Sequence, residues 1–97
     1  MTSFQVRYHP LVAEKDLPGL DPAVRKKIQR AVERRLFTHP EKYGLPLRHT
    51  LKGLRKLRVG DWRVIYRISG SEVWILRIGH RQEVYRHPPR SLQTVMK

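Results

Sequence analysis

From Leu51 to Tyr85 the chain reads LKGLRKLRVGDWRVIYRISGSEVWILRIGHRQEVY, and this stretch constrains the fold more than any other. Apolar and cationic residues alternate through three segments, at roughly 54–59, 62–69 and 72–80. Gly60-Asp61 and Ser69-Gly70-Ser71 separate them, and both are short enough for antiparallel hairpins. Side chains of a strand alternate between its two faces. Trp62, Val64, Tyr66 and Ile68 therefore share one face, and Arg63, Ile65 and Arg67 the other. In the next segment, strict alternation groups Val73, Ile75, Arg77, Gly79 and Arg81 against Trp74, Leu76, Ile78 and His80. In the first, Lys56 and Arg58 lie with Leu54, while Arg55 lies with Leu57 and Val59. A sheet of these pieces carries several cations on one side, as a surface for a polyanion would.

The preceding residues supply a strand and two helices. Phe4–His9 alternates as a first strand, and Pro10 suits the first turn of a short helix from Leu11 to about Leu17, which Pro18-Gly19 ends. Asp21-Pro22 is a helix start, with a capping carboxylate followed by proline at the first helical position. Val24, Ile28, Ala31 or Val32, and Leu36 then recur at helical spacing, and the helix is expected to end near Thr38. Residues 39–50 hold two prolines and a glycine and read as a connection with one turn of helix. His87-Pro88-Pro89 stops regular structure after Tyr85, and residues 91–97 form a terminal turn or tail. The expected fold is α+β, in the order β-α-α-β-β-β, with helices on one face of a mostly antiparallel sheet. Residues 1–97 are expected to make one domain.

Charge narrows the partners. Against 8 acidic residues stand 21 lysines and arginines, a formal charge of +13, which favours nucleic acid, an acidic protein or an anionic surface. No long apolar run or basic amphipathic anchor supports a membrane partner. There is no cysteine, so thiolate metal sites and disulfides are excluded. The N-terminal MTSFQVRYHP lacks the apolar core of a secretory signal, and a cytoplasmic location is expected.

Like charges packed on one sheet face cost stability unless an anion compensates them. The recurrence of Arg63, Arg67, Arg77 and Arg81, rather than of neutral polar residues, points to such an anion. Guanidinium groups also grip phosphate oxygens in a fork. The six cations from Arg25 to Arg35 read instead as a solvated helix face. The five histidines show no zinc-ligand spacing, and His80, on the core side beside Arg81, is a structural hydrogen-bonder able to titrate near neutrality. Carboxylates are scattered, with Asp21 assigned to the helix cap, Asp61 to a turn, and Glu83 to Arg81 or Arg86. No convergent acids suited to a two-metal nuclease stand out, and no metal or cofactor is expected. Tyr85 offers a ring for stacking on a base and a hydroxyl near phosphate.

In two segments, Leu54–Arg67 (LRKLRVGDWRVIYR) and Ile78–Tyr85 (IGHRQEVY), the sequence resembles the RelE/ParE superfamily of toxins from type II toxin–antitoxin pairs. The resemblance runs along nearly the whole chain in element order. It implies a compact toxin fold and a cognate antitoxin, small and acidic or amphipathic, whose complex with the toxin would bind operator DNA. RelE-like members cleave messenger RNA in the ribosomal decoding (A) site, whereas ParE-like members inhibit DNA gyrase. The RelE pattern falls here on Lys56, Arg63, Arg81 and Tyr85 as catalytic residues, and one strand lysine of that pattern falls on Leu54. Arg55, Arg58, Arg67, Arg77 and His80 are expected to contact RNA.

The chemistry that this implies needs no metal, because RNA carries its own nucleophile in the 2′-hydroxyl. Arg63 and Arg81 would hold the phosphoryl oxygens as charge builds on them. Lys56 would accept the proton of the attacking oxygen, since neighbouring cations favour a neutral amine. Tyr85 would stack on a base or exchange a proton. Such weak acid–base groups imply that the ribosome supplies much of the positioning. The terminal tyrosine favours the nuclease branch. A gyrase inhibitor without a nuclease site and an inactive nucleic-acid- or protein-binding module are the alternatives.

Overall fold

The computed structural model describes residues 3–46, 53–82 and 84. Five strands form one sheet in the order β1-β5-β4-β3-β2, where β1 is Gln5–Tyr8, β2 Leu45–Pro46, β3 Arg55–Val59, β4 Trp62–Ser69 and β5 Glu72–His80. Only β1 and β5 pair in parallel, with Tyr8 opposite Ile75; the other pairs are antiparallel. Val59 pairs with Trp62 and Ser69 with Glu72, so both hairpins close through two residues. Gly60 and Gly70 each open their turn at φ 60°, the left-handed conformation that tight hairpin turns require.

The α+β class and the element order agree with the expectation from the sequence, and several details differ. The first helix is a single π-helical turn, Val12–Asp16. Helix α1, Pro22–Leu36, stops two residues short of Thr38, and Asp21 occupies its N-cap position without a side-chain capping bond; only its backbone carbonyl accepts, from Arg25 N–H at 2.9 Å. Residues 39–50 contain the foreseen helical turn, α2 at Pro40–Tyr43, and also strand β2, which was not foreseen. A proline in β2 fits an edge strand, where one backbone donor fewer costs no sheet bond.

Helix α1 lays Ile28, Val32 and Leu36 on one sheet face against Leu57, Val59, Val64, Tyr66, Val73, Ile75 and Ile78. A second cluster of Leu54, Ile65, Leu76 and Val84, with Trp74 beside it, lies on the other face. Strict alternation along β5 is wrong at one point. Tyr66 pairs with Ile75 but Ile65 with Arg77, so Leu76 is an extra, bulged residue. Beyond it the phase reverses. Ile78 joins the helix-side core with Val73 and Ile75, while Arg77 moves to the face of Ile65 and Leu76. The bulge keeps a guanidinium out of the helix–sheet core.

Tyr66 is fully buried, and its hydroxyl donates to the Pro40 carbonyl at 2.5 Å. Arg55 Nη2 donates to the carbonyls of Glu41 at 2.6 Å and Gly44 at 2.7 Å, fastening α2 to β3. A Cβ on Gly44 would lie 1.8 Å from the Tyr66 hydroxyl oxygen and 2.6 Å from the ring carbon bearing it. The φ of Gly44 is −98°, open to any residue, so the demand for glycine here is purely steric. Gly44→Ala is expected to cost about 3 kcal/mol in urea unfolding, with Tyr66→Phe restoring only part because the ring carbon remains too close.

Burial raises the pKa of both Tyr8 and Tyr66 above the ordinary 10.0, and the negative charge of Glu33 adds to the effect at Tyr8. The folded chain thus holds these protons more tightly than the unfolded one. Their contribution to stability is complete below pH 10 and is lost as pH rises through the raised values. Urea midpoints measured upward from pH 10 should fall less steeply for Tyr66→Phe than for the parent chain.

Candidate RNA-cleavage site

The β3–β4 hairpin and the end of β5 bring four cations to one end of the sheet. On the sheet face away from α1 Arg58 stands directly opposite Arg63, and Lys56, half-buried, lies two residues before Arg58. Arg63 is 7% exposed, and its Nη1 donates to the Gly60 carbonyl at 2.8 Å and the Trp62 carbonyl at 2.9 Å. Two carbonyls engage only part of a five-donor group, so the tether fixes the guanidinium without exhausting it.

Arg81 arrives from β5. Its N–H donates to the Asp61 carbonyl at 2.8 Å, stapling the hairpin turn to the end of the strand. Its side chain is exposed, with Nε 3.8 Å from the Asp61 carboxylate. An exposed pair at that distance is weak, and an incoming phosphate can replace the carboxylate. Register places Gly79 beside Arg63. Lys56, Arg58 and Arg63 therefore share the hairpin face away from α1, and Arg81 stands at the hairpin turn beside Asp61.

The other expected residues are placed differently. Arg67 lies on the same face but four residues farther along β4. Arg55 points to the helix side and holds α2, as its parity with Leu57 had indicated. Arg77 Nη1 donates to Asp16 Oδ1 at 2.8 Å, while Asp16 Oδ2 accepts the Ile78 N–H at 3.0 Å. That carboxylate thus covers the β5 edge beyond the end of β1. His80 stacks edge-on against Trp62 at 5.6 Å on the helix side, and its Nδ1 accepts the Gln82 N–H at 3.3 Å. Leu54 is buried in the second cluster, on the face away from α1, where its role is packing. Tyr85, Glu83 and the segment 91–97 lie outside the described residues.

A basic groove of about 510 Å³ was not foreseen. Lys26, Lys27, Arg30, Arg34 and Arg35 from α1 face Arg58 across it, over a floor that includes Ala31 and Val59. The helix cations had read as simply solvated. Since Arg58 belongs to both groups, cations run from the face away from α1 around the hairpin to the helix. Among the described residues, no three His, Asp or Glu come together as metal ligands, and no helix is long and apolar enough to cross a membrane.

A family model, the ParE toxin of the type II toxin–antitoxin system parDE, matches residues 6–85. The chain belongs to the RelE/ParE superfamily of type II toxins. The toxin is 36% identical over 76 residues to Toxin RelG of Mycobacterium tuberculosis, covering 76% of this chain and 87% of that protein. It is 34% identical over 87 residues to Toxin RelE of the same organism, covering 84% of this chain and 90% of the relative. Its fold matches a chain of the M. tuberculosis toxin–antitoxin complex RelBE2 with a TM-score of 0.76 and 33% identity, over 86% of the toxin and 97% of that chain. A chain of the RelB–RelE antitoxin–toxin complex from Methanococcus jannaschii has the same fold at 17% identity, with a TM-score of 0.63 over 84% of the toxin and 98% of that chain.

Proposed function

We propose that the toxin is a ribosome-dependent endoribonuclease that cuts messenger RNA without a metal. The observation carrying this reading is the joining of Lys56, Arg58, Arg63 and Arg81 by the hairpin register and the Arg81–Asp61 backbone bond. In-line attack by the 2′-hydroxyl adds negative charge at the phosphorus. Arg63, tethered, and Arg81, exposed, supply charge where it develops. Lys56 takes the proton of the attacking oxygen, and Tyr85 stacks on a base or moves a proton. The bond to the 5′-oxygen breaks, that oxygen takes a proton from Arg81 or from water, and the products are a 2′,3′-cyclic phosphate and a 5′-hydroxyl.

Ribosome dependence is supported by the weak acid–base groups that the site offers. Asp61 is the one carboxylate seen at the Arg81 end among the described residues, and it faces a cation. With no strong base in view, much of the rate must come from how the substrate is held. The groove between α1 and Arg58 is suited to RNA backbone and so supports docking on a large RNA. The complexes formed by RelB with RelE-type chains support a cognate antitoxin as partner here. Such an antitoxin would be acidic or amphipathic, and the pair would bind operator DNA. A gyrase inhibitor is the alternative, favoured by the ParE name of the matching family model.

The experiment offers the toxin a ribosome-bound message carrying a single 2′-deoxynucleotide at the position otherwise cut. Cleavage should vanish at that position and persist at all-ribose sites. Cutting that survives the deoxy substitution would exclude attack by the 2′-hydroxyl.

A further inference from the structure

The sheet face away from α1 has a concavity at its other end. His9, Arg67, Ser69 and Trp74 line a pocket of about 180 Å³ that includes none of Lys56, Arg58, Arg63 and Arg81. Arg67 and Trp74 are register partners on neighbouring strands, so guanidinium and indole start side by side. Trp74 packs against the Leu54, Ile65, Leu76 and Val84 cluster, which supports its half-buried ring. His9 follows β1. Its N–H donates to the Ile75 carbonyl at 2.9 Å, and its Nδ1 accepts the Leu11 N–H at 3.1 Å. With Nδ1 accepting, the neutral imidazole carries its proton on Nε2. Ser69 adds a hydroxyl that can donate or accept.

A supported aromatic ring, a cation, an imidazole and a hydroxyl make a site for one nucleotide. The volume suffices for one base, since a cavity of about 150 Å³ already takes benzene. An acidic peptide would use Arg67 and leave the indole without a matching group, whereas a base uses both. From Arg63 to Arg67 along β4 is about 13 Å, a span of roughly two to four nucleotides. We infer that this pocket holds one base of the message, stacked on Trp74 with a neighbouring phosphate on Arg67, at a fixed distance from the bond that is cut. The inference rests on the nuclease reading. It makes the pocket a register-setting subsite, through which base identity away from the cut influences where the toxin cuts.

The test uses Trp62→Phe, which leaves Trp74 as the only tryptophan of the two in the chain. A hexanucleotide with 2′-O-methyl groups throughout, which cannot be cleaved, is titrated at low salt. Saturable quenching of Trp74 is expected, weakened about tenfold by Arg67→Gln, a change at an exposed position. On ribosomes, Trp74→Leu should redistribute cuts among codons; Arg67→Gln provides the same readout should the leucine variant fail to fold. Absence of saturable quenching overturns the inference, as does quenching by an acidic antitoxin peptide but not by the oligonucleotide. Cutting by the parent with an unchanged codon pattern in Arg67→Gln also overturns it and leaves the nuclease reading standing. Quenching without any ribosomal cutting would do the reverse: the pocket would stand as an RNA site and the nuclease reading would fall.

Discussion

Arg81→Ala is expected to slow cleavage of ribosome-bound message by about 100- to 1000-fold, the usual consequence of removing one group that stabilises transition-state charge. The fold should be untouched. The Arg81 side chain is exposed, its one ion pair among the described residues is the 3.8 Å approach to Asp61, and the staple to the hairpin is made by its backbone N–H, which alanine keeps. An unchanged urea midpoint with a collapsed single-turnover rate would separate chemistry from folding. Arg81→Lys should recover only part of the rate, because an ammonium cannot grip two phosphate oxygens as a fork. The corresponding change at Arg63 would be harder to interpret. Its Nη1 closes two bonds to the hairpin carbonyls, so alanine there would disturb the turn as well as the chemistry.

The second large effect is on stability and lies away from the cationic end. Asp16→Ala is expected to cost about 3 kcal/mol, because it strands a partly buried guanidinium and leaves the Ile78 N–H without its acceptor. For a domain of this size that lowers the melting temperature by roughly 10–20 °C. Asp16→Asn should cost less, since an amide oxygen can still accept one of the two bonds. Adding Arg77→Met to Asp16→Ala should restore part of the loss by removing the stranded charge. No restoration in the double variant would show that the pair contributes little beyond the Ile78 bond.

That carboxylate illustrates what was legible in the sequence and what was not. Strands β3 to β5 could be read almost to the residue, because alternation and two glycine-led turns are local signals. Helix α1 was equally open, through Pro22 and the spacing of Ile28, Val32 and Leu36. The bulge at Leu76 was hidden by the unbroken apolar run Val73–Leu76, which fits either phase. One clue was present: strict alternation placed Arg77 on the face of Val73 and Ile75, a costly position for a cation. The bond from Asp16 to Arg77 joins residues 61 apart, and no local pattern encodes such a pair. Strand β2 is two residues long and half proline, so it has no periodicity to detect.

The site divides in the same way. Arg58 and Arg63 come together through hairpin register alone, which the turn at Gly60-Asp61 sets, and Lys56 follows by parity. Arg55 was grouped with the RNA contacts although its parity with Leu57 and Val59 already pointed to the helix side. The basic groove was missed because it needs α1 and the tip of β3 to face each other, and a helix taken alone shows only a charged surface. The His9–Trp74 pocket likewise depends on the parallel pairing of β1 with β5, a contact between the two ends of the described chain.

Primer extension on cellular messages after brief induction tests the central claim most directly. New ends should appear within translated codons in cells making the parent toxin, and should be absent with Arg81→Ala and on the same message freed of ribosomes. Growth arrest with messages intact would contradict the account and turn attention to the supercoiling activity of gyrase.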